Sequence, residues 1–213
     1  MQGLLAILLL AVPVAAAIAF VVGGARQVRR RNRLARAAHE ADLMFSVEDP
    51  FGVPRRYADF ALISAGHGAR ATHVTYGRLG GLPIRAFDFR YEIGHGTRRH
   101  TRHYGVVVVE VESPLSPFLL WSRRDGEWAP LAVQQADSVS DGWSCRGEGV
   151  AWALAQLSGD LARLATGVEA VVPTACDVAE VRTALMVCAP VQRGELYVGR
   201  LEDVVALAKA LVR

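Results

Sequence analysis

Lysine is almost absent from this chain. Of its 24 basic residues only Lys209 is lysine, and the rest are arginine. So uniform a bias reflects a GC-rich coding sequence rather than many separate needs for a guanidinium, and the arginine count by itself marks no site. Cysteine is scarce too. Cys145, Cys176 and Cys188 are odd in number and show no C-x-x-C spacing, which excludes a disulfide scaffold and reads as thiols in a reducing compartment. Reactive motifs are missing as well. Gly142-Trp143-Ser144-Cys145-Arg146-Gly147 lacks the G-x-S-x-G spacing and the strand-to-helix setting of a nucleophile elbow. The glycine pairs lack the Lys-Ser/Thr or G-x-G-x-x-G context of a phosphate loop. These absences leave no catalytic residue and no cofactor to name.

Charge of either sign is missing from Gly3 to Ala25. Much of the high hydrophobic fraction (52%) and of the positive mean hydropathy of +0.22 sits there. About 23 residues at 1.5 Å each make a helix of about 35 Å, long enough for a hydrocarbon core of about 30 Å. Pro13 near its middle is tolerable in a membrane helix. The expectation is a transmembrane anchor over residues 1–25. No Lys or Arg precedes it, whereas Arg26, Arg29, Arg30, Arg31, Arg33 and Arg36 follow it. Flanking positive charge stays in the cytoplasm, which places the N-terminus outside and the remainder inside. A cleaved signal peptide is the rival. It has Ala15-Ala16-Ala17 as a cleavage site but lacks a positive n-region, and its apolar stretch is too long. The six arginines are candidate membrane-surface residues, each contributing on the order of 1 kcal/mol beside an anionic leaflet. With a net charge of +3 and the excess gathered behind the span, nucleic acid is not an expected partner.

Residues 26–56 read as a basic juxtamembrane helix, from Arg29 to about Met44, followed by the linker Asp49-Pro50-Phe51-Gly52-Val53-Pro54, which cannot continue a helix. Residues 57–213 read as one cytoplasmic domain. Strand patterns cover Tyr57–Ser64 and Ala71–Arg78, with Gly80-Gly81 placed for a tight hairpin turn. From Ile84 to Ile93, apolar Phe87, Phe89, Tyr91 and Ile93 alternate with charged Asp88, Arg90 and Glu92, the signature of one buried and one wet face. Tyr104–Glu112 carries Val106–Val109, apolar on both faces, as in an inner strand. Phe118–Ser122 is a short strand bounded by prolines.

Val150, Ala153, Leu154, Leu157, Leu161 and Leu164 then recur at helical spacing, with Gly167 as a stop. Val168–Val172 reads as a strand, and Thr183–Ala189 fits a buried strand although Asp177 with Glu180 resembles a capping box. Leu201–Val212 reads as a final helix with acidic residues at its start and Lys209 near its end. The expected fold class is therefore α+β: a transmembrane helix, then an antiparallel sheet of hairpins with C-terminal helices packed on it.

Gly66, Gly77, Gly81, the run Phe87-Asp88-Phe89-Arg90-Tyr91 and a strand closing on Pro117-Phe118 resemble a loosely defined set of uncharacterised bacterial single-span membrane proteins. The resemblance spans about Tyr57 to Ser122 and rests on turns and one alternating strand. It implies an anchored domain and no particular activity.

Histidine supplies the remaining chemistry. His95, His100 and His103 lie around one hairpin turn, with His67 and His73 on neighbouring strands, and such a group could bind zinc. Arg98, Arg99 and Arg102 interleave them and disfavour a dication, so a solvated basic tip is the plainer reading; that tip could also touch acidic headgroups or an acidic partner. Asp88 and Glu92 share a strand face about 13 Å apart, too far for a carboxylate pair, and suit Arg90 or Arg102 as partners. Two functions stand as expectations: a membrane-anchored, non-enzymatic module that binds a protein or the bilayer surface, and a metal-dependent hydrolase using the hairpin histidines.

Overall fold

The computed structural model describes residues 28–140, 142–157, 159–173, 183–191 and 199–212, with residues 12, 14, 20, 24 and 25 besides. Its centre is a nine-stranded antiparallel sheet in the order β1-β2-β3-β4-β9-β8-β5-β7-β6. These strands are β1 (Met44–Ser46), β2 (His67–Leu79), β3 (Leu82–Ile93), β4 (His100–Val111), β5 (Phe118–Ser122), β6 (Ser138–Ser140), β7 (Trp143–Arg146), β8 (Gly167–Val171) and β9 (Thr183–Pro190). The helices are α1 (residues 28–40), α2 (Val53–Arg56), α3 (Leu131–Gln134), α4 (Val150–Gln156), α5 (Gly159–Leu164) and α6 (Leu201–Val212).

Period-two patterning sorts β3 cleanly. Ile84 and Ala86 face one side with Val107 and Val109 of β4 and Leu185 and Val187 of β9. On that side lie α1 (Leu34, Ala38), α4 (Ala153), α5 (Leu161) and α6 (Val204, Ala208, Leu211). Phe87, Phe89 and Tyr91 face the opposite side, with Val106, Val108, Met186 and Trp121, under a cover of Val53, Tyr57, Phe60 and Leu62. The valine run of β4 is buried because both sides are covered. The β2–β3 turn uses Gly80 (φ 60) and Gly81 (φ 89), a left-handed pair that a two-residue hairpin requires. Three-residue strands at both edges, β1 and β6, leave little unpaired backbone for another chain to join.

Several expectations are corrected. Among the described residues no helix is long and apolar enough to cross a membrane, so the expected fold class, with a spanning helix leading a set of hairpins, does not describe this structure. The single-pass reading is withdrawn with it; the anchor expected over residues 1–25 lies almost wholly outside the described residues. The helix after it is not a spacer. Leu34 and Ala38, one turn apart, are 1% and 2% exposed against the sheet, so α1 belongs to the core.

Nor is the sheet a chain of hairpins, because β9 sits between β4 and β8 and joins two halves distant in sequence. Tyr57–Ser64 is a run of turns rather than a strand. Ser64 N–H donates to the Phe60 carbonyl and its hydroxyl returns to the same oxygen, a local alternative to a ladder. The helical pattern from Val150 to Leu164 is broken into α4 and α5. Trp143-Ser144-Cys145-Arg146, the segment that lacks a nucleophile elbow's spacing, is β7. Cys176, Asp177, Glu180 and Arg26 lie outside the described residues.

Gly167 opens β8 where a Cβ would sit 2.7 Å from the Trp121 ring and 2.9 Å from the Cys188 sulfur. Gly167→Ala is expected to destabilise the fold by about 1–3 kcal/mol through overpacking, read as a fall in the urea midpoint without a change in slope; an unchanged midpoint would show that the ring and thiol yield freely.

Candidate functional site

The β3–β4 tip does not gather its histidines. His100 and His103 sit three residues apart on one strand and therefore point to opposite faces. His95 instead stacks on His67 at 5.0 Å between ring centroids. Among the described residues no group of three His, Cys, Asp or Glu could hold a metal ion. The pairings of the strand carboxylates also differ from expectation. Glu92 takes Arg99 at 3.2 Å and lies 3.8 Å from His67 Nε2, while Asp88 takes Arg30 and His73.

The arginine block divides by helical geometry. Arg29, Arg31, Arg33 and Arg36 are exposed, whereas Arg30 lies one turn before Leu34 and turns toward the sheet. It donates through both terminal nitrogens to Asp88, the Nη2–Oδ1 distance being 2.9 Å. His73 Nδ1 meets the second Asp88 oxygen at 3.0 Å. His73 has φ 53, a left-handed conformation that a residue with a Cβ adopts only under constraint. The constraint is visible: its N–H donates to the Val47 carbonyl (2.9 Å), and β2 is out of simple register between Thr72 and Thr75. A second register shift lies between His67 and Arg70.

Two irregularities thus bracket Arg70-Ala71-Thr72, and bulges of this kind re-aim side chains. They place Arg70 directly opposite Arg90 on β3, and Arg90 is opposite His103 on β4. The row crosses three adjacent strands, about 10 Å in all, on the helix-covered side but beyond the end of the cover. With Arg30, His73, Thr72 and Asp88 it lines a cleft of about 510 Å³. Glu48 lines the same cleft. Among the described residues neither Arg70 nor Arg90 has a carboxylate within ion-pair distance, and Asp88 is held by Arg30 and His73.

Two further polar groups are structural. Glu110 on β4, 4% exposed, accepts hydrogen bonds at one oxygen from Tyr57 Oη (2.7 Å), Arg56 Nη2 (3.0 Å) and Arg85. Burial would raise its carboxyl, but the bonds from Arg85 and Tyr57 and the two guanidinium charges outweigh burial and hold it below the usual carboxylate range. The cluster rivets α2 and the turn after it onto the sheet, with the Arg85 guanidinium 4.8 Å from the Phe51 ring centroid. Glu169 on β8 is 7% exposed and accepts the Ala61 N–H at 2.9 Å. Burial pushes its carboxyl up to about 8, against that one opposing hydrogen bond.

Sequence reasoning named His73, His103, Asp88 and Arg30 but did not bring them together, and it passed over Arg70. Strand parity alone puts Asp88 and Arg90 on one face; what was missing was the register of β2, set by two shifts that no local pattern announces.

No protein-family model matches the chain, and no curated protein matches it in sequence. Its fold is similar to that in the crystal structure of the mycobacterial trehalose monomycolate transport factor A, TtfA. The likeness covers 83% of this chain and 94% of that one at 13% identity, with a TM-score of 0.50. At that identity what is shared is the fold, and what acts on it must be argued from this chain's own side chains.

Proposed function

We propose that this chain is a non-enzymatic binding module that receives an acidic protein partner on the tip of its β3–β4 hairpin. The observation that carries this is electrostatic: residues 94–101 are all exposed and present His95, Arg98, Arg99 and His100 around a turn, with Glu92 and its bond to Arg99 as counter-charge. Arg98 has no carboxylate partner among the described residues. An exposed arginine without a partner costs little in water and gives most of its value to a partner that arrives charged, chiefly in association rate and specificity. The buried thiols Cys145 and Cys188 suit a reducing, cytoplasmic setting. The hydrolase reading gains nothing from a tip whose histidines diverge.

The test is affinity of the full chain for a deca-glutamate peptide, measured against ionic strength. Arg98→Glu with Arg99→Glu is expected to weaken binding at least about tenfold, with the wild-type affinity falling as salt screens the charges. Equal affinity of wild type and double variant, or binding to anionic vesicles in preference to the peptide, would overturn the reading.

A further inference from the structure

Beyond the hairpin tip, the row on the open end of the sheet has an energetic oddity. Cross-strand neighbours of like charge are unfavourable by up to about 1 kcal/mol per pair, and Arg70–Arg90 is such a pair, extended by His103. Fold stability gives no reason to keep it, since both arginines are exposed and neither packs in a core cluster. The two carboxylates that flank Arg90 on its face of β3 are held elsewhere, Asp88 by Arg30 and His73 and Glu92 by Arg99. Backbone irregularity points to the same place: two register shifts bracket Arg70–Thr72, and His73 is held left-handed. Strain of this kind persists only where surrounding contacts over-determine it, and it gathers at ligand sites. The space beside the row, about 510 Å³, falls within the range of small-ligand clefts.

We infer that the cleft between the start of α1 and the β2–β3–β4 strand ends is a binding site for a phosphate monoester, held by Arg70, Arg90 and His103. Planar guanidinium forks bind phosphate oxygens in pairs, and a dianion between two opposed arginines turns their repulsion into attraction. The Thr72 hydroxyl and the His73 imidazole line the same cleft and can donate to further oxygens. Arg30 and Asp88 act one step back: their ion pair fixes the cleft wall and keeps the carboxylate away from the anion. Glu48, at the cleft's edge, limits how much negative charge the site tolerates, which favours one phosphate group over a polyphosphate.

The experiment is an isothermal titration of the full chain with inorganic phosphate, phosphoserine and glycerol phosphate in turn, the strongest binder identifying the source of the group. One equivalent is expected to bind at roughly 1 mM or tighter. Arg70→Gln with Arg90→Gln is expected to lose at least about tenfold in that affinity, while Arg146→Gln on β7, exposed on the far half of the sheet, leaves it unchanged. Thermal melting supplies a second readout that survives a failure to detect heat. Without phosphate Arg90→Gln should melt no lower than wild type, having lost a repulsion, and added phosphate should raise the wild-type melting temperature only. No binding by any of the three compounds, an equal response from the double variant, or a drop in the melting temperature of phosphate-free Arg90→Gln would overturn the assignment.

Discussion

Replacing Glu110 by alanine is expected to lower the unfolding free energy by about 3–5 kcal/mol, because it leaves two guanidinium groups in a site from which water is largely excluded. The Arg56 and Arg85 side chains are 19% and 15% exposed and the carboxylate between them 4%. For a domain whose total stability is typically 5–15 kcal/mol, a loss of that size is a large fraction of the whole. In this fold it would show as a fall in melting temperature of roughly 10 °C. Tyr57 would lose its acceptor as well. The pH dependence has a definite sign. The folded-state carboxyl is held below its unfolded value of 4.5, so its contribution is present above that pH and is lost as the pH falls through the folded-state value. A change below about 1 kcal/mol in urea unfolding would show that water reaches the two arginines and that the rivet carries little.

Glu169→Gln should act in the opposite direction. With a carboxyl at about 8 in the fold against 4.5 unfolded, the native state binds the extra proton. Stability from this group is complete below about pH 4.5 and is lost as the pH rises through 8. Integrated over that window, the difference is on the order of 3–5 kcal/mol. Glutamine resembles the neutral acid and can still accept the Ala61 N–H, so the variant is expected to be more stable than wild type at pH 8.5 and similar at pH 4.5. Urea midpoints at the two pH values check this directly, and a variant less stable at both would mean that Glu169 is ionised and satisfied in the fold. Together the two glutamates predict a wild-type optimum on the mildly acidic side, where Glu110 is ionised and Glu169 is not.

The strongly periodic elements were legible from residues alone. Phe87, Phe89 and Tyr91 alternate with Asp88, Arg90 and Glu92 in the pattern that the sheet then uses, and Leu201–Val212 shows its buried stripe at helical spacing. Short apolar runs misled. Tyr57–Ser64 has the composition of a strand, yet its task is to cover Phe87 and Phe89 from above, and a series of turns does that as well as a strand. The arginine-rich helix misled by position: behind an apolar stretch it reads as a membrane flank, while Leu34 and Ala38 mark it as a packed element. Long-range order was not legible, because β9 reaches β4 across about 70 residues and no local pattern encodes that pairing. The cleft depends on the same kind of information. Its members lie on α1, β2, β3 and β4, and only the register of those strands sets Arg70 against Arg90.

Amide chemical shifts of the 15N-labelled full chain, recorded while deca-glutamate peptide is added, test most directly whether the basic strand ends form the binding surface. Perturbations are expected to centre on residues 94–102 and to fade toward β5, β7 and β6, which lie at the far side of the sheet. Shifts centred on Ser138–Ser140 and Trp143–Arg146, or spread evenly over the fold, would contradict the proposed function.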